Sequence, residues 1–360
     1  MYAEGVSPEQ NGLDPREGGA GKSLRHVAEL AGVSVATASR VMSGSNHPVN
    51  ERTRERVLSA AAELSFEPNR LARALVTSKS HTVGVIVHDI SDPYFGEIVK
   101  GLEDGIHADD YRLFVASSER DPERELNYVR TFDAYRVDGI VFAASSLRDP
   151  DYVETLRALA TRFMARGGVI VVLSDHLFDT PHVRFDNYQA AADMVRYLAE
   201  RGHRRIGFIG GPPEIEVSHI RLAGVTAALD ELGFDMGSEY IVSGGFTIES
   251  GEAAMAELME QADVTAVLAA NDLMAIGAAH HLLSKGIKVP EEISVAGLDD
   301  IPMAAYAPVP LTTMRVPTYE IGQQGASLLL GALGGDEPED VRLIGEIVER
   351  DSVATIGHRK

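Results

Sequence analysis

Polar and aromatic side chains stand directly after several short apolar runs of this chain, where they could hydrogen-bond a small molecule. Each run has the length and composition of a buried strand. Carboxylate, amide, hydroxyl and guanidinium groups that meet at one place can grip the polar atoms of a ligand through paired, charge-assisted hydrogen bonds. The residues at these positions, or opening the next helix, are Tyr94, Phe95, Ser145, Ser146, Asp175, Arg221, Asn271 and Asp299.

The elements that would position these side chains alternate between strands and helices from Thr82 onward. The predicted strands are Val83–Val87, Leu113–Ala116, Gly139–Ala143, Val169–Leu173, Ile206–Ile209, Ala266–Ala269 and Ser294–Leu298. Amphipathic stretches between most of them predict the helices Tyr94–Ile106, Glu123–Tyr135, Tyr188–Arg201, Ile220–Leu232 and Leu273–Lys285. This alternation predicts parallel α/β sheets, and ligands bind beyond the carboxyl ends of such strands. We therefore expect two doubly wound subdomains that divide near residues 184–187, with a ligand cleft between them.

A different pattern precedes this α/β region. Ser23 can cap a first helix, Gly32 breaks it, and Ser34 can cap a second helix that runs through Met42. Asn50 can cap a third helix, whose predicted apolar face is Val57, Leu58, Ala61 and Leu64. The spacing of the first two helices is typical of a helix-turn-helix, whose second helix lies in the major groove of DNA.

The second helix predicts which side chains would read DNA. Arg40 is suited to a bidentate bond with guanine, whereas Val35 and Ala36 can make only apolar contacts, for example with a thymine methyl. The hydroxyls of Ser34, Thr37 and Ser39 are suited to phosphates, which position the head without reading sequence. The alternative is a generic three-helix bundle in which Arg40 is simply solvated.

The charge distribution favours a DNA-binding head on an acidic body. The chain has a net charge of −21, yet residues 22–79 hold nine lysines and arginines against five acids. An acidic body repels phosphate and should face away from DNA. Residues 1–21 are polar, without the apolar core of a signal peptide, and we expect a disordered extension there. No apolar run is long enough to span a membrane, so the cytoplasm is the expected compartment.

Catalytic and metal motifs are missing from the sequence. Zero cysteines exclude disulfides and thiolate zinc sites. The glycines of GFIGGP follow a strand but do not form the G-x-G-x-x-G pattern of a dinucleotide-binding enzyme. We therefore expect no enzyme, no cofactor and no metal.

The motifs resemble the lactose/galactose repressor (LacI/GalR) family in order along residues 22–356. They include VAELAGVSVATASRVMSG, PNRLARAL, GVIVHDISDPYFG, RLAG, LAANDLMAIGA and VAGLDD. The body resembles the periplasmic-binding-protein type I fold. The resemblance implies a helix-turn-helix domain over residues 22–67, a hinge over 68–80 and an effector-binding and dimerisation domain over 81–357. The N-subdomain would comprise about 81–185 and 312–338, and the C-subdomain about 186–311 and 339–357.

The resemblance also implies a role for the hinge. In the family the matching segment folds on specific DNA, and paired hinge helices of a dimer enter the minor groove. Leu75 matches the residue that wedges between the central base pairs, which kinks the duplex. The hinge residues expected at the DNA are Asn69, Arg73, Leu75 and Val76. Val76 stands where some relatives carry lysine.

The family's ligand contacts fall on residues already singled out, and they add one more. By resemblance they are Arg221, Asn271, Asp299, the Tyr94–Phe95 region and Phe246. Such a set suits a sugar, with an aromatic face covering the ring. Purine-binding relatives are similar around Phe246 and Arg221, but they carry arginine and threonine where this chain has Ile215 and Val217.

The combined expectation is a homodimeric transcription regulator, most simply a repressor. It would bind a pseudo-palindromic DNA operator and respond to a small-molecule effector, by default a sugar. A nucleobase or other non-sugar effector is the alternative. A sugar-binding transport protein would share the fold, but the DNA-binding head argues against it.

Overall fold

The protein is described by a computed structural model that defines residues 23–42, 48–66, 79–176, 178, 180–234 and 237–356. The chain forms two compact units, residues 1–80 and 81–360. The expected extension over 1–21 and the hinge residues Asn69, Arg73, Leu75 and Val76 lie outside the described residues.

The small unit contains the three expected helices, α1 (Leu24–Ala31), α2 (Val35–Met42) and α3 (Glu51–Glu63). Gly32 ends α1 with a φ of 63°, the left-handed conformation that glycine adopts without strain. The hydroxyl of Ser34 accepts a hydrogen bond from the Thr37 amide at 3.1 Å and caps α2. The Asn50 side chain caps α3 by accepting from the Arg52 amide at 3.0 Å. Each predicted cap thus stands where its helix begins or ends.

Small side chains form the core of this unit: Val27, Ala28, Ala31, Ala38, Val41, Val57, Ala60 and Ala61. The assignment of Leu58 to this core was wrong, because its side chain is 49% exposed. Val57 and Ala61, one turn apart on α3, fill the contact with α1 and α2, and Leu58 points about 100° away from Val57.

The N-subdomain is built on a parallel sheet with the strand order β2-β1-β3-β4. Its strands are β1 (Thr82–Val87), β2 (Arg112–Ser117), β3 (Gly139–Phe142) and β4 (Val169–Val172). The helices that follow β1, β2 and β3 are α4 (Pro93–His107), α5 (Pro122–Ala134) and α6 (Pro150–Ala165). Asp92, Asp121 and Asp149 cap these three helices, each directly before a proline. The combination starts each helix sharply after its strand.

The C-subdomain is built on a second sheet with the order β12-β10-β9-β8-β6-β7. Its strands are β6 (Ile206–Gly210), β7 (Ile241–Ser243), β8 (Ala266–Ala269), β9 (Ser294–Asp299), β10 (Thr312–Arg315) and β12 (Glu346–Val348). Only the edge pair of β10 with β12 is antiparallel. The helices are α7 (Asn187–Glu200), α8 (Glu216–Glu231), α9 (Ile248–Gln261) and α10 (Asp272–Ser284). The expected pair of doubly wound sheets is confirmed.

The chain passes between the subdomains three times. It crosses at β5 (Val183–Phe185), after β10, and at β11 (Val341–Leu343), and β5 and β11 pair as a separate two-stranded sheet. The boundary predicted at residue 312 was wrong. Strand β10 pairs in parallel with β9, and Thr312 is fully buried with its amide bonded to the Ser352 hydroxyl at 2.8 Å. The chain therefore returns to the N-subdomain only after Arg315.

Helix α11 (Thr318–Gly334) then packs closely against α4 of the N-subdomain. A Cβ atom on Gly101 would lie 2.1 Å from the Tyr319 carbonyl oxygen, and one on Gly322 would lie 2.1 Å from that of Ile98. Glycine at both positions lets the two backbones approach each other. Among the described residues, no helix is long and apolar enough to cross a membrane.

Candidate ligand-binding site and nucleic-acid interface

A cavity lies where the carboxyl ends of both sheets meet. It brings together seven of the nine ligand residues predicted from the sequence: Tyr94, Phe95, Ser145, Arg221, Phe246, Asn271 and Asp299. The strand-end argument and the family resemblance therefore point to the same place. The other two, Ser146 and Asp175, are absent from the lining.

Arg221 lies at the centre of the polar wall on the C-subdomain. Its side chain is almost fully buried, and all three guanidinium nitrogens are occupied. Nη2 lies 3.3 Å from Oδ1 of Asp299, Nε donates to Oδ1 of Asn187 at 2.9 Å, and Nη1 donates to the Ala270 carbonyl. These bonds fix the orientation of Arg221 before any ligand arrives.

Asp299 ends β9 in an uncommon backbone conformation, with a φ of 119°. Burial raises the pKa of its carboxyl to about 7, and the positive charge of Arg221 only partly offsets this. Behind it, Asp272 is completely buried. Its oxygens accept from the Thr313 hydroxyl at 2.5 Å and from the Ile301 amide at 2.9 Å. Asp272 thus holds the loop that presents Asp299 to the cavity.

Asn271 has both a capping role and a place in the cavity lining. Its Oδ1 accepts from the Met274 amide at 3.0 Å and caps α10, while its Nδ2 donates to the Phe246 carbonyl at 3.4 Å. The bond to Phe246 supports a residue with a φ of 63°. A Cβ on Gly211 would lie 2.1 Å from the Phe246 ring, so glycine at 211 makes room for this aromatic face.

The N-subdomain supplies an aromatic corner to the same cavity. The rings of Tyr94 and Phe95 meet edge to face with centroids 5.1 Å apart. Asp92, which caps α4 through the Tyr94 amide at 3.0 Å, also lines the cavity. The start of α4 therefore contributes both apolar surface and a carboxylate.

Asp175 does not line the cavity itself but contacts Asn187, which does. Its Oδ2 accepts from Nδ2 of Asn187 at 3.2 Å, and Asn187 in turn binds Arg221. The cap of α7 is Asp186, which accepts from the Gln189 amide at 3.1 Å. Asn187 is free to enter the cavity lining, and Asp175 positions it.

Sequence reasoning missed five polar residues of the lining: His88, Asp92, Arg120, Ser174 and Asn187. His88 directly follows β1, and Arg120 lies in the loop after β2. Applying the strand-end argument at every strand would have found His88. Burial and the nearby positive charge of Arg120 lower the pKa of His88 to about 3, so its imidazole is neutral near pH 7.

A polar clasp joins the subdomains beside the cavity. It consists of residues 145–148 after β3 and residues 214–217 before and at the start of α8. Leu147 and Ile215 form an antiparallel bridge, and the flanking amides of Arg148 and Glu216 bond the opposite loop at 2.7 and 3.0 Å. The Ser145 hydroxyl accepts from the Val217 amide at 3.1 Å. Opening the cleft on this side requires these bonds to break.

The small unit presents the predicted face of α2 to solvent. Ser34, Val35, Ala36, Ser39 and Arg40 are exposed and Thr37 is half-buried, whereas Ala38 and Val41 are buried against the other helices. Val35 is 47% exposed although it is apolar. An exposed apolar side chain beside an arginine on a short helix suits base edges in a major groove.

Two protein families match the chain in separate regions. Residues 23–69 match the bacterial regulatory proteins of the lacI family, and residues 195–353 match the periplasmic binding protein-like domain. The first match covers α1 to α3, and the second covers most of the C-subdomain and all of α11.

Curated relatives match over nearly the full length. The transcriptional repressor CytR of Escherichia coli is 36% identical over 314 residues, which is 87% of this chain and 90% of CytR. The ribose operon repressor of Bacillus subtilis is 32% identical over 86% of this chain and 91% of its own length.

Solved structures agree with this likeness. The lac repressor dimer bound to operator and the anti-inducer ONPF superposes with a TM-score of 0.81 at 27% identity, covering 92% of this chain and 99% of that one. The transcriptional regulator CelR in complex with cellobiose has a TM-score of 0.68 at 31% identity, with the same coverage.

Proposed function

Because this chain belongs to the LacI family of bacterial regulatory proteins, we propose that it is a repressor controlled by a small-molecule effector in its cleft. It is a DNA-binding transcription regulator, and its relatives are transcription regulators rather than enzymes. The observation that carries the proposal is the presence in one chain of an exposed recognition helix and a preformed polar cavity. A transport protein would use only the cavity.

The head reads DNA through α2. Arg40 bonds a guanine in the major groove, Val35 and Ala36 contact thymine methyl groups, and Ser34, Thr37 and Ser39 bond phosphates. Two heads of a homodimer bind half-sites of a pseudo-palindromic operator about one helical turn apart. We extend the proposal to the hinge, where Leu75 wedges into the minor groove and Asn69, Arg73 and Val76 flank it.

The effector is a sugar in the first instance. Asp299, Asn271 and Arg221 offer carboxylate, amide and guanidinium groups within one cavity, and Phe246 offers an aromatic face beside them. Paired polar groups of this kind grip neighbouring hydroxyls. A regulator of this family from Enterococcus faecium was solved with bound ribose, and CelR with cellobiose. A nucleobase is the second candidate, although Ile215 and Val217, which both line the cavity, offer it no side-chain polar group.

Effector binding is coupled to DNA binding through the closure of the cleft. A ligand that contacts both subdomains favours the closed arrangement, and the free-energy difference between the arrangements is the coupling to the operator. The regulator acts in the cytoplasm, where its operator lies.

The proposal is tested by selecting bound fragments from a random DNA pool with the intact protein and with a chain lacking residues 1–79. Enrichment of a pseudo-palindrome by the intact protein alone is the expected result. If neither protein enriches a sequence, with or without a panel of sugars present, the regulator reading fails. Enrichment followed by titration of the same sugars then tests the effector class.

A further inference from the structure

Arg120 is a cation that lines the cavity, and among the described residues its guanidinium Nε has no hydrogen-bond acceptor. It lies in the loop between β2 and α5, and its guanidinium stands over the Phe246 ring with 5.6 Å from its central carbon to the ring centroid. Within the described part of the chain, its Nε is buried and has no hydrogen-bond partner. A buried donor without an acceptor is costly, so Nε of Arg120 is a group that a bound ligand could satisfy.

Three carboxylates surround Arg120 without pairing with it. Asp92, Asp89 and Glu214 favour the charged form and oppose burial, which lowers the pKa of Arg120. None of these acids comes within the 4.0 Å of an ion pair with it. Asp92 and Asp89 already accept hydrogen bonds from the amides of their own turns. The three acids therefore favour the charged form of Arg120, but none of them accepts a hydrogen bond from its guanidinium group.

His88 adds a second polar group on the same wall. It is nine-tenths buried, and its Nε2 has no hydrogen-bond partner among the described residues. Because the imidazole is neutral near pH 7, Nε2 can carry the proton and donate it to a ligand. Arginine can only donate. In that tautomer the two unused groups of this wall, Nε of Arg120 and Nε2 of His88, are both donors that need acceptor atoms.

On the opposite, C-subdomain wall of the cavity, the hydrogen-bond donors of the arginine are already occupied. There Arg221 is satisfied by Asn187, Ala270 and Asp299, and its charge is balanced by a carboxylate. A ligand therefore meets a C-subdomain wall whose arginine is ion-paired and, on the N-subdomain, a cation that none of its three neighbouring carboxylates contacts directly. A ligand end that carries several acceptor atoms and a negative charge would complement the unused Nε of Arg120 and Nε2 of His88.

We propose that Arg120 and His88 form a subsite for an anionic group of the effector, a carboxylate or a phosphate ester. This inference rests on the proposed function, because it assigns the charge of the effector that the same cavity binds. Arg120 would bond two oxyanion oxygens with its planar fork, and His88 would donate to a third acceptor. The rest of the effector would lie on Phe246 and reach Asp299 and Asn271.

The test uses two simple anions, inorganic phosphate and acetate, with the full-length protein. Their binding is measured by titration calorimetry, against chloride of equal ionic strength. The variants are Arg120→Met, Arg120→Lys and the matched control Arg157→Met, which removes an exposed arginine from α6. We expect at least one anion to saturate one site per chain in the wild type and in Arg157→Met. In Arg120→Met that site should weaken at least about tenfold, and Arg120→Lys should retain part of it.

The two anions separate the two possible sources, since phosphate preference indicates a phosphate ester and acetate preference a carboxylate. The inference is overturned if neither anion saturates a site in the wild type, or if Arg120→Met binds as well as the control. Operator selection by the same wild-type protein is scored in parallel. Normal operator binding without anion binding would reject this subsite alone, whereas loss of operator binding would reject the proposed function.

Discussion

Nη2 of Arg221 and Oδ1 of Asp299 lie 3.3 Å apart in the cavity wall, although the two residues are 78 positions apart in the chain. Both side chains are about 95% buried. Asn187 and the Ala270 carbonyl hold Arg221 from the other sides, so the pair has little freedom to reorganise when a ligand binds. The C-subdomain wall is thus built in advance for polar recognition.

Replacing Asp299 with alanine should abolish the effector response and leave operator binding intact. The change removes a ligand acceptor and leaves Arg221 without its carboxylate, which typically costs about 2–5 kcal/mol in affinity. This corresponds to a loss of at least about 30-fold in effector affinity. Asp230→Ala, an exposed acid on α8, is the control. Loss of DNA binding by a normally folded Asp299→Ala protein would contradict the assignment.

The contribution of Asp299 to stability should fall as the pH rises. Its folded-state pKa of about 7 lies above the usual 3.8, so the folded state binds the extra proton between these values. The free energy of unfolding of the wild type relative to Asp299→Asn should therefore fall by about 1.4 kcal/mol per pH unit between pH 5 and 6, and by less as the pH approaches 7. Urea unfolding of both proteins at several pH values measures it. A difference that stays constant over this range would show that burial does not shift Asp299.

The stability of the clasp should depend on the hydroxyl of Ser145 and not on that of Ser146. Ser145→Ala removes the acceptor for the Val217 amide, a bond worth about 1 kcal/mol, and should speed exchange of that amide about fivefold. Ser146→Ala is the matched control, because the Ser146 hydroxyl donates only to the Leu147 carbonyl of its own loop. Hydrogen exchange monitored by mass spectrometry compares the two. Equal exchange at Val217 in both variants would contradict the clasp.

Arg40 should carry sequence specificity. Arg40→Ala should weaken operator binding by about 1–3 kcal/mol and relax the preference for guanine at one position of each half-site. Arg56→Ala, which removes an exposed arginine of α3, should change affinity equally for all sequences or not at all. The affinity of each variant for a set of single-base operator variants shows whether the loss is specific to one base or uniform. A uniform loss in Arg40→Ala would assign Arg40 to a phosphate.

Adding a methyl group where α4 contacts α11 should destabilise the fold. Gly101→Ala places a Cβ against the Tyr319 backbone and should lower the free energy of unfolding by about 1–3 kcal/mol. Gly96→Ala on the same helix meets open space and should raise it by up to about 1 kcal/mol through helix propensity. Urea unfolding measures both. A neutral Gly101→Ala would mean that the two helices separate at little cost.

Much of the architecture follows from sequence patterns, because buried strands and helix caps leave local signals. Strand β8 has the predicted bounds, and Ser34 and Asn50 cap the helices assigned to them. Helix α11 was not predicted. Its internal glycines weaken a helical pattern in isolation, and their purpose, the close approach to α4, becomes visible only when the chain has folded.

Only some of the residues that line the cavity could be predicted from the sequence, for a similar reason. Asp299 and Asn271 follow strands directly, so their position alone places them at the cleft. Arg120 reaches the cavity because Glu119 and Arg120 both adopt positive φ values, 53° and 61°, which redirect the loop after β2. Nothing in the residue types around Arg120 indicates that turn. The side chains of a cleft thus depend on loop conformations that sequence periodicity does not record.

The three crossings between the subdomains also set the order in which the protein can be completed during synthesis. The first sheet is translated early, but the helix that covers part of it, α11, leaves the ribosome only after β6 to β10 of the second sheet. The second sheet in turn waits for its edge strand β12 at residues 346–348. Neither half can finish folding as a contiguous nascent segment. Each must remain partly uncovered until translation is almost over, so a growing chain of this architecture needs protection from premature association for most of its synthesis.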